Sequence, residues 1–306
     1  MSMINNSRKI GWSGWILLFF ALTVFSSRGL AVSVVTEKQS AASLLAQYAT
    51  LSDRLDHNQF QRKLYLNSSE SSDGTKGDIY ALVDYSFATV SAALNSPSRW
   101  CDVMILHVNT KNCRASTDKI TTFLTVSIGT KKFQLLEDTY PIEFSYRVIA
   151  ATPNYLEIQL SAEKGPLSTS NYRIQLQAVP LENGWTFLHF TYSYAYGLAG
   201  RLAMKAYLAT IGRGKVGFTI TGLEANGEPE YIGGVRGVVE RNTMRYYLAI
   251  DAYLAAIATP PPLQFQKRLQ IWFAGTEQYP RQLHDVEKAD YFDMKLREYR
   301  RQQKPQ

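Results

Sequence analysis

Between residues 171 and 196 the sequence alternates by side-chain character twice, once on either side of Glu182-Asn183-Gly184. A period of two across a turn tripeptide is the signature of a β-hairpin with one buried and one wet face. Tyr172, Ile174, Leu176 and Ala178 share one face of the first strand, and Arg173, Gln175 and Gln177 share the other. On the second strand Leu188, Phe190, Tyr192, Tyr194 and Tyr196 fall together, opposite Phe187, His189, Thr191 and Ser193. A sheet carrying that row of aromatic rings needs a partner layer to cover it.

The same period predicts strands upstream, over 60–67 and 78–87 around a Ser, Asp and Gly cluster, over 121–128 and 132–137 around Gly129-Thr130, and over 141–150 and 154–161. Helical spacing predicts one helix over 36–58 and short ones over 88–94 and 98–107, separated by a breaker at 95–97. After the sheet come a helix over 198–211, a short strand over 215–222 and a long helix over 235–257 that stops before Pro260-Pro261-Pro262. The tail to 306 is helical and charge-rich, with Phe265, Leu269, Trp272 and Phe273 able to dock. The segments expected are thus 1–31, an N-terminal helical piece 32–58, a main domain 59–258 interrupted at 198–232, and a tail 259–306.

The first of these segments reads as a cleavable export signal. Arg8 and Lys9 form a basic start, Trp15 to Phe25 an apolar core, and Ser26 to Ala31 an exit ending in small residues, with cleavage expected after Ala31. The core runs for about eleven residues, against the roughly twenty that a bilayer-spanning helix needs. The protein is therefore expected in the periplasm or outside the cell. Without Arg8, Lys9 and Arg28 the formal charge falls from +7 to +4, too little and too diffuse to argue for nucleic acid.

Export also frames the cysteines. Cys101 and Cys113 are the two in the chain, and an oxidising compartment makes them a disulfide first and a catalytic thiol second. Asp102 and His107 lie nearby and are the local pair that could act as acid and base, although a separation of five fits one helix face poorly. His57, His107, His189 and His284 show no spacing suited to a metal, and no Gly-x-Ser-x-Gly elbow, phosphate loop or dinucleotide fingerprint occurs. No cofactor or metal is expected.

One strand, two short helices, six strands and a long final helix form an order that resembles the START and polyketide-cyclase-like superfamily. The stretches that carry it are 78–87, 88–107, 121–196 and 235–257, and Gly77-Asp78-Ile79-Tyr80-Ala81, Trp100-Cys101-Asp102 and Leu106-His107 are similar to exported bacterial members. The resemblance implies an α+β helix-grip fold, a curved antiparallel sheet of about seven or eight strands around the last helix, with extra helices at both ends. It also implies a cavity between sheet and helix.

The residues agree with such a cavity. Phe190, Tyr192, Tyr194 and Tyr196 would form one wall, since buried tyrosines need partners for their hydroxyls, although an ordinary aromatic core is the competing reading. On the final helix Asn242, Arg245 and Tyr246 fall on or beside the gripping stripe, and a polar group there needs a partner, a ligand head group being one. Arg147 could face either way, and surface pairing is its simpler reading. The partner expected is an apolar small molecule or lipid, with transient membrane contact; the oligomeric state stays open. Binding or carriage is the first function implied, a cyclase-type enzyme the second, and a non-catalytic envelope protein the third.

Overall fold

The computed structural model describes residues 28–304 except 119 and 211, with side chains from 38 onward. The basic start and apolar core of the expected signal, within 1–27, lie outside the described residues. Helix α1 (Arg28–Asp56) leads into a hairpin of β1 (Leu64–Glu70) and β2 (Gly74–Val83), followed by α2 (Phe87–Leu94) and α3 (Pro97–Met104). Then come β3 (Thr110–Asp118), β4 (Thr121–Ile128), β5 (Tyr140–Ala151), β6 (Leu156–Lys164), β7 (Thr169–Pro180) and β8 (Thr186–Tyr196). Helix α4 (Leu198–Ala209) and a small hairpin, β9 (Ile220–Leu223) with β10 (Pro229–Tyr231), precede the long α5 (Gly234–Ala255). The chain continues through α6 (Pro261–Glu277), α7 (Pro280–Leu283) and α8 (Lys288–Gln302).

The main sheet is antiparallel throughout, in the order β1-β2-β8-β7-β6-β5-β4-β3. Strand β8 returns to lie beside β2, and α5 crosses the face of β1, β2 and β8. This is an α+β helix-grip fold with one strand added at the edge. Gly77 of β2 permits the close approach, because a Cβ there would sit 2.2 Å from the Thr243 hydroxyl of α5. The β7–β8 turn uses Glu182-Asn183-Gly184 as expected, with Gly184 at φ +83°.

Each face of the sheet has its own core. Inside, Ile79, Ile158, Ile174, Leu176, Leu188 and Phe190 pack toward α5. Outside, Leu44, Leu51 and Leu55 of α1 cover Tyr155, Val179 and Phe187. Burying each of those leucines contributes about 1.5–3 kcal/mol, which anchors a helix whose other faces are polar.

Several strand boundaries differ from the sequence expectation: β1 begins at Leu64 and not at 60, β2 runs Gly74–Val83 and leaves Phe87 to α2, and β9 begins at Ile220 and not at 215. Residues 132–137 form no strand; Phe133 lies beneath the Arg297 guanidinium at 3.8 Å, and residues 136–138 make a single tight turn of helix. The missing strand is β3, which pairs with β4 across residues 118–121. Its polar sequence alternates weakly because its first half is covered by the tail, whereas the second half is exposed. Pro261 begins α6 and does not end the folded region, in keeping with the tolerance of proline in a first helical turn.

The tail is part of the core. Trp272, Tyr291 and Met294 are buried, and Tyr291 donates its hydroxyl proton to the Leu106 carbonyl at 2.8 Å. Lys295, fully buried, donates to the carbonyls of His107 and Thr110 at 2.7 Å each and pairs with Glu298 at 2.8 Å. Lys111 meets the same carboxylate at 3.0 Å. The tail thereby fixes the turn that carries His107.

Candidate functional site

The interior site is assembled from four places in the chain. Alternation along β7 and β8 turns Tyr172 and Tyr192 inward, helical spacing on α5 brings Asn242 and Tyr246 to face them, and the turn after α3 supplies His107 and Asn109. These groups, with Ile128, Ile142 and Phe144, line a cavity of about 160 Å³. The turn is held from both sides, since Cys101 and Cys113 form a disulfide across its base, with Cα atoms 5.0 Å apart. Lys295 holds its carbonyls from below.

His107 shows how the site is charged. Its ring stacks on Tyr246 with centroids 4.8 Å apart, and its Nδ1 accepts a hydrogen bond from the Asn109 backbone N–H at 3.2 Å. The proton of the neutral ring therefore sits on Nε2, which has no hydrogen-bond partner of good geometry. Burial first, then the positive charges of Arg245 and Lys295, hold its pKa well below the ordinary value, outweighing Asp285 and the nearby Asn242 amide. His107 is a neutral donor.

The tyrosines add more donors. The hydroxyls of Tyr192, Tyr194 and Tyr246 have no hydrogen-bond partner among the described residues, and burial raises the pKa of all three. Tyr172 differs, because its hydroxyl meets Thr169 at 2.7 Å. Tyr194 stands just behind the cavity wall, 5.4 Å from the Tyr172 ring and 5.8 Å from that of Tyr192.

The other expected site residues have different places. Phe190 is core, packed 6.3 Å from Tyr246, and Tyr196 lies toward the strand end, donating to Glu70 at 3.1 Å. Arg245 pairs with Asp285 at 2.5 Å and only brushes the Asn242 side-chain oxygen Oδ1 at 3.4 Å. Asp102 and His107 do not meet: Asp102 pairs with Arg268 of α6 at 3.0 Å, whereas His107 faces the cavity. Their spacing on a short helix followed by a turn sends them to opposite sides of it.

Asn109 and Tyr172 line the site without having been expected there, and Arg241, next to Asn242 on α5 but outside the lining, is a second unexpected feature. Arg241 is 3 % exposed and has no ion pair or hydrogen bond among the described residues. Adjacent to Glu240, it reads in sequence as half of a surface charge pair. Among the described residues no group of three or more His, Cys, Asp and Glu side chains converges to hold a metal.

A second recess, of about 400 Å³, lies on the outer face between α1 and the sheet, lined by Gln39, Ser40, Ser43, Tyr80, Gln177 and His189 among others. The polar groups on its sheet side, His189 and Gln177, are paired. His189 Nε2 meets Asp78 at 2.8 Å, its Nδ1 meets the Gln177 side-chain oxygen at 3.1 Å, and its ring stacks on Tyr80 at 4.2 Å.

No protein-family model matches the chain, and no curated protein is similar to it in sequence. Solved structures are similar to it at low identity. Norcoclaurine synthase from Thalictrum flavum is 12% identical over 51% of this chain and 86% of its own, with a TM-score of 0.32. Human StAR-related lipid transfer protein 5 is 10% identical over 56% and 90%, with a TM-score of 0.30. A conserved protein of Enterococcus faecalis is 8% identical over 77% and 89%, with a TM-score of 0.31. At these scores the likenesses bear on neither ligand nor chemistry, which rest on the residues of this chain.

Proposed function

We propose that the chain binds a small, largely apolar ligand between α5 and the sheet, and that it works outside the cytoplasm. The carrying observation is the convergence on one cavity of the hydroxyls of Tyr192 and Tyr246, which make no hydrogen bond among the described residues, with the buried Nε2–H of His107, beside which only the Asn242 amide lies. Buried polar groups are almost always bonded, so a cluster of open ones favours a missing acceptor. Aromatic and aliphatic walls supply the apolar body of the site.

Volume narrows the ligand. A cavity of about 160 Å³ is below the roughly 300–1,000 Å³ of sites for drug-sized molecules, and close to the ~150 Å³ that admits a benzene ring. A ring with one or two acceptors fits the closed form; a long acyl chain requires α4 or α5 to move. The expected export signal and the disulfide support an extracytoplasmic setting. The enzyme reading is less favoured because the open groups are mainly donors and none is a free carboxylate or other strong base.

Native mass spectrometry on protein purified from its own compartment tests the binding. The expected result is a small adduct lost on denaturation. Bare protein, together with no change in melting temperature across a set of small aromatic compounds, would contradict it. The mass of the mature chain tests the address: a start at Val32 is expected, and an intact Met1 in the cytoplasmic fraction would overturn it.

A further inference from the structure

We infer that the outward face of α4 docks on an anionic membrane surface, next to the turn that walls the cavity. The docking stands apart from the ligand reading, and only its use, loading the cavity from lipid, rests on that reading. A helix packed on a protein turns its large apolar residues inward and its charges outward. Helix α4 does the reverse. Its buried residue is Gly200, where a Cβ would lie 3.1 Å from the Ser168 carbonyl oxygen and 3.0 Å from the Tyr196 Cβ. Leu198 and Leu202 stand 76 % and 62 % exposed.

Leu198, Leu202, Lys205 and Ala209 follow a spacing of four, three and four, which makes one stripe on the side of the helix opposite Gly200. All four are exposed, as is Arg201 at the edge of the stripe. A lone surface leucine is ordinary, but a stripe led by two and joined by cations is the pattern of a helix lying in a membrane interface. Lys205 can lay its stem beside the leucines and keep its ammonium among headgroups. The charge is also of one sign: from Leu198 to Leu223 the chain carries Arg201, Lys205, Arg213 and Lys215 and no Asp or Glu. Lys215 is taken by Asp285 and the His284 carbonyl. Arg201 donates to the Ser72 carbonyl, in the turn that also carries Asp73. Lys205 and Arg213 meet no carboxylate among the described residues, so this face complements an anionic surface better than an apolar protein face.

The inner side of α4 rests on the tight turn Pro166–Ser168 between β6 and β7. Pro166 lines the cavity, and the Thr169 hydroxyl after the turn meets that of Tyr172, another lining residue, at 2.7 Å. Leu167 and Ser168 hold φ at +55° and +59°, a left-handed backbone that residues with side chains rarely adopt. The result leaves Leu167 68 % exposed. A strained turn thus exposes a leucine at the cavity wall, beneath a helix that exposes two more. Lipid gathered at α4 lies next to that wall, which gives an apolar ligand a short way in.

Flotation of the full mature chain with vesicles of phosphatidylcholine, and with vesicles of phosphatidylcholine and phosphatidylglycerol in equal parts, tests the inference. Binding to the mixed vesicles is expected to be about 10-fold tighter or more, since each cation at the surface adds several-fold. Leu198→Ser with Leu202→Ser should weaken that binding about 10-fold and leave the melting temperature unchanged, both side chains being exposed. Lys205→Glu should bring the two kinds of vesicle to within about 3-fold of each other. No binding by the wild type, equal binding to both vesicles, or wild-type binding by either variant would overturn the inference. A dimer in sedimentation velocity that the leucine variant dissociates, with no vesicle binding, would make this face an interface between copies and overturn it as well. The ligand adduct is read separately by mass: vesicle binding without an adduct leaves the docking and sinks the ligand reading, and an adduct without vesicle binding does the converse.

Discussion

The two faces of the sheet bury polar groups in opposite ways. On the outer face Asp78 takes His189 at 2.8 Å and Thr191 at 2.7 Å on one oxygen and Lys76 at 3.0 Å on the other. Tyr155 donates to Glu157 at 2.6 Å and accepts from Gln177 at 2.7 Å, and the Gln177 oxygen is left to accept from His189. Each of these side chains thus meets a partner within hydrogen-bond distance. On the inner face the hydroxyls of Tyr192, Tyr194 and Tyr246 and the Nη1 of Arg241 make no hydrogen bond among the described residues, and the Nε2–H of His107 has only the Asn242 amide nearby. Buried polar groups are usually bonded, so the inner set is the one that the proposed ligand would complete.

Breaking the outer network gives the largest effect. Asp78→Ala should lower stability by about 3 kcal/mol in denaturant unfolding, because it leaves His189 and Thr191 without their acceptor. Burial raises the Asp78 pKa, but the hydrogen bonds from His189, Thr191 and Lys76 outweigh it and hold the net value below 3.8. Its stabilisation is therefore present above about pH 4 and lost as pH falls through the lower folded value, a loss the alanine variant should not show. A loss in Asp78→Ala as small as that of an exposed substitution would erase the contrast between the faces.

The disulfide gives a yardstick of similar size. Replacing Cys101 and Cys113 by Ser should cost about 3 kcal/mol, read in the same unfolding experiment. It should also loosen the turn that presents His107, so the ligand-induced rise in melting temperature should shrink with it.

His107 contributes a pH effect between these and zero. Its folded pKa lies well below the unfolded 6.5, so the unfolded chain binds the proton first. The contribution is complete above pH 6.5 and falls away as pH drops below it, by up to about 1.4 kcal/mol per unit. Comparing wild type with His107→Phe at pH 7 and 5.5 should show the slope only in wild type. The smallest effect belongs to the inner hydroxyls: Tyr192→Phe and Tyr246→Phe should change the stability of the ligand-free protein by less than about 0.5 kcal/mol, since no bond is lost. A cost above about 1 kcal/mol in denaturant would mean those hydroxyls are already satisfied.

How far the sequence reveals this contrast depends on the element. The β7–β8 hairpin announces itself because one face is apolar along its whole length and the other largely polar apart from Val179 and Phe187, and the tyrosine wall follows from parity alone. Strand β3 is hidden because its burial comes from α8, far along the chain, as in the hydrogen bond that the Cys113 N–H donates to the Gln302 side-chain oxygen. Helix α5 is covered on its back by α6 as well as by the sheet, so its buried positions extend beyond one stripe. That is why Arg245 reads as a gripping residue although its partner lies in the tail, and why Arg241 passes for surface. The absence of a partner is a property of the fold and has no signature in sequence.

A crystal structure of the protein as purified, without extraction or added ligand, tests the central claim most directly. The account predicts non-protein density of ring size between Tyr192 and Tyr246, within hydrogen-bond distance of their hydroxyls or of His107. A cavity holding only water would contradict it.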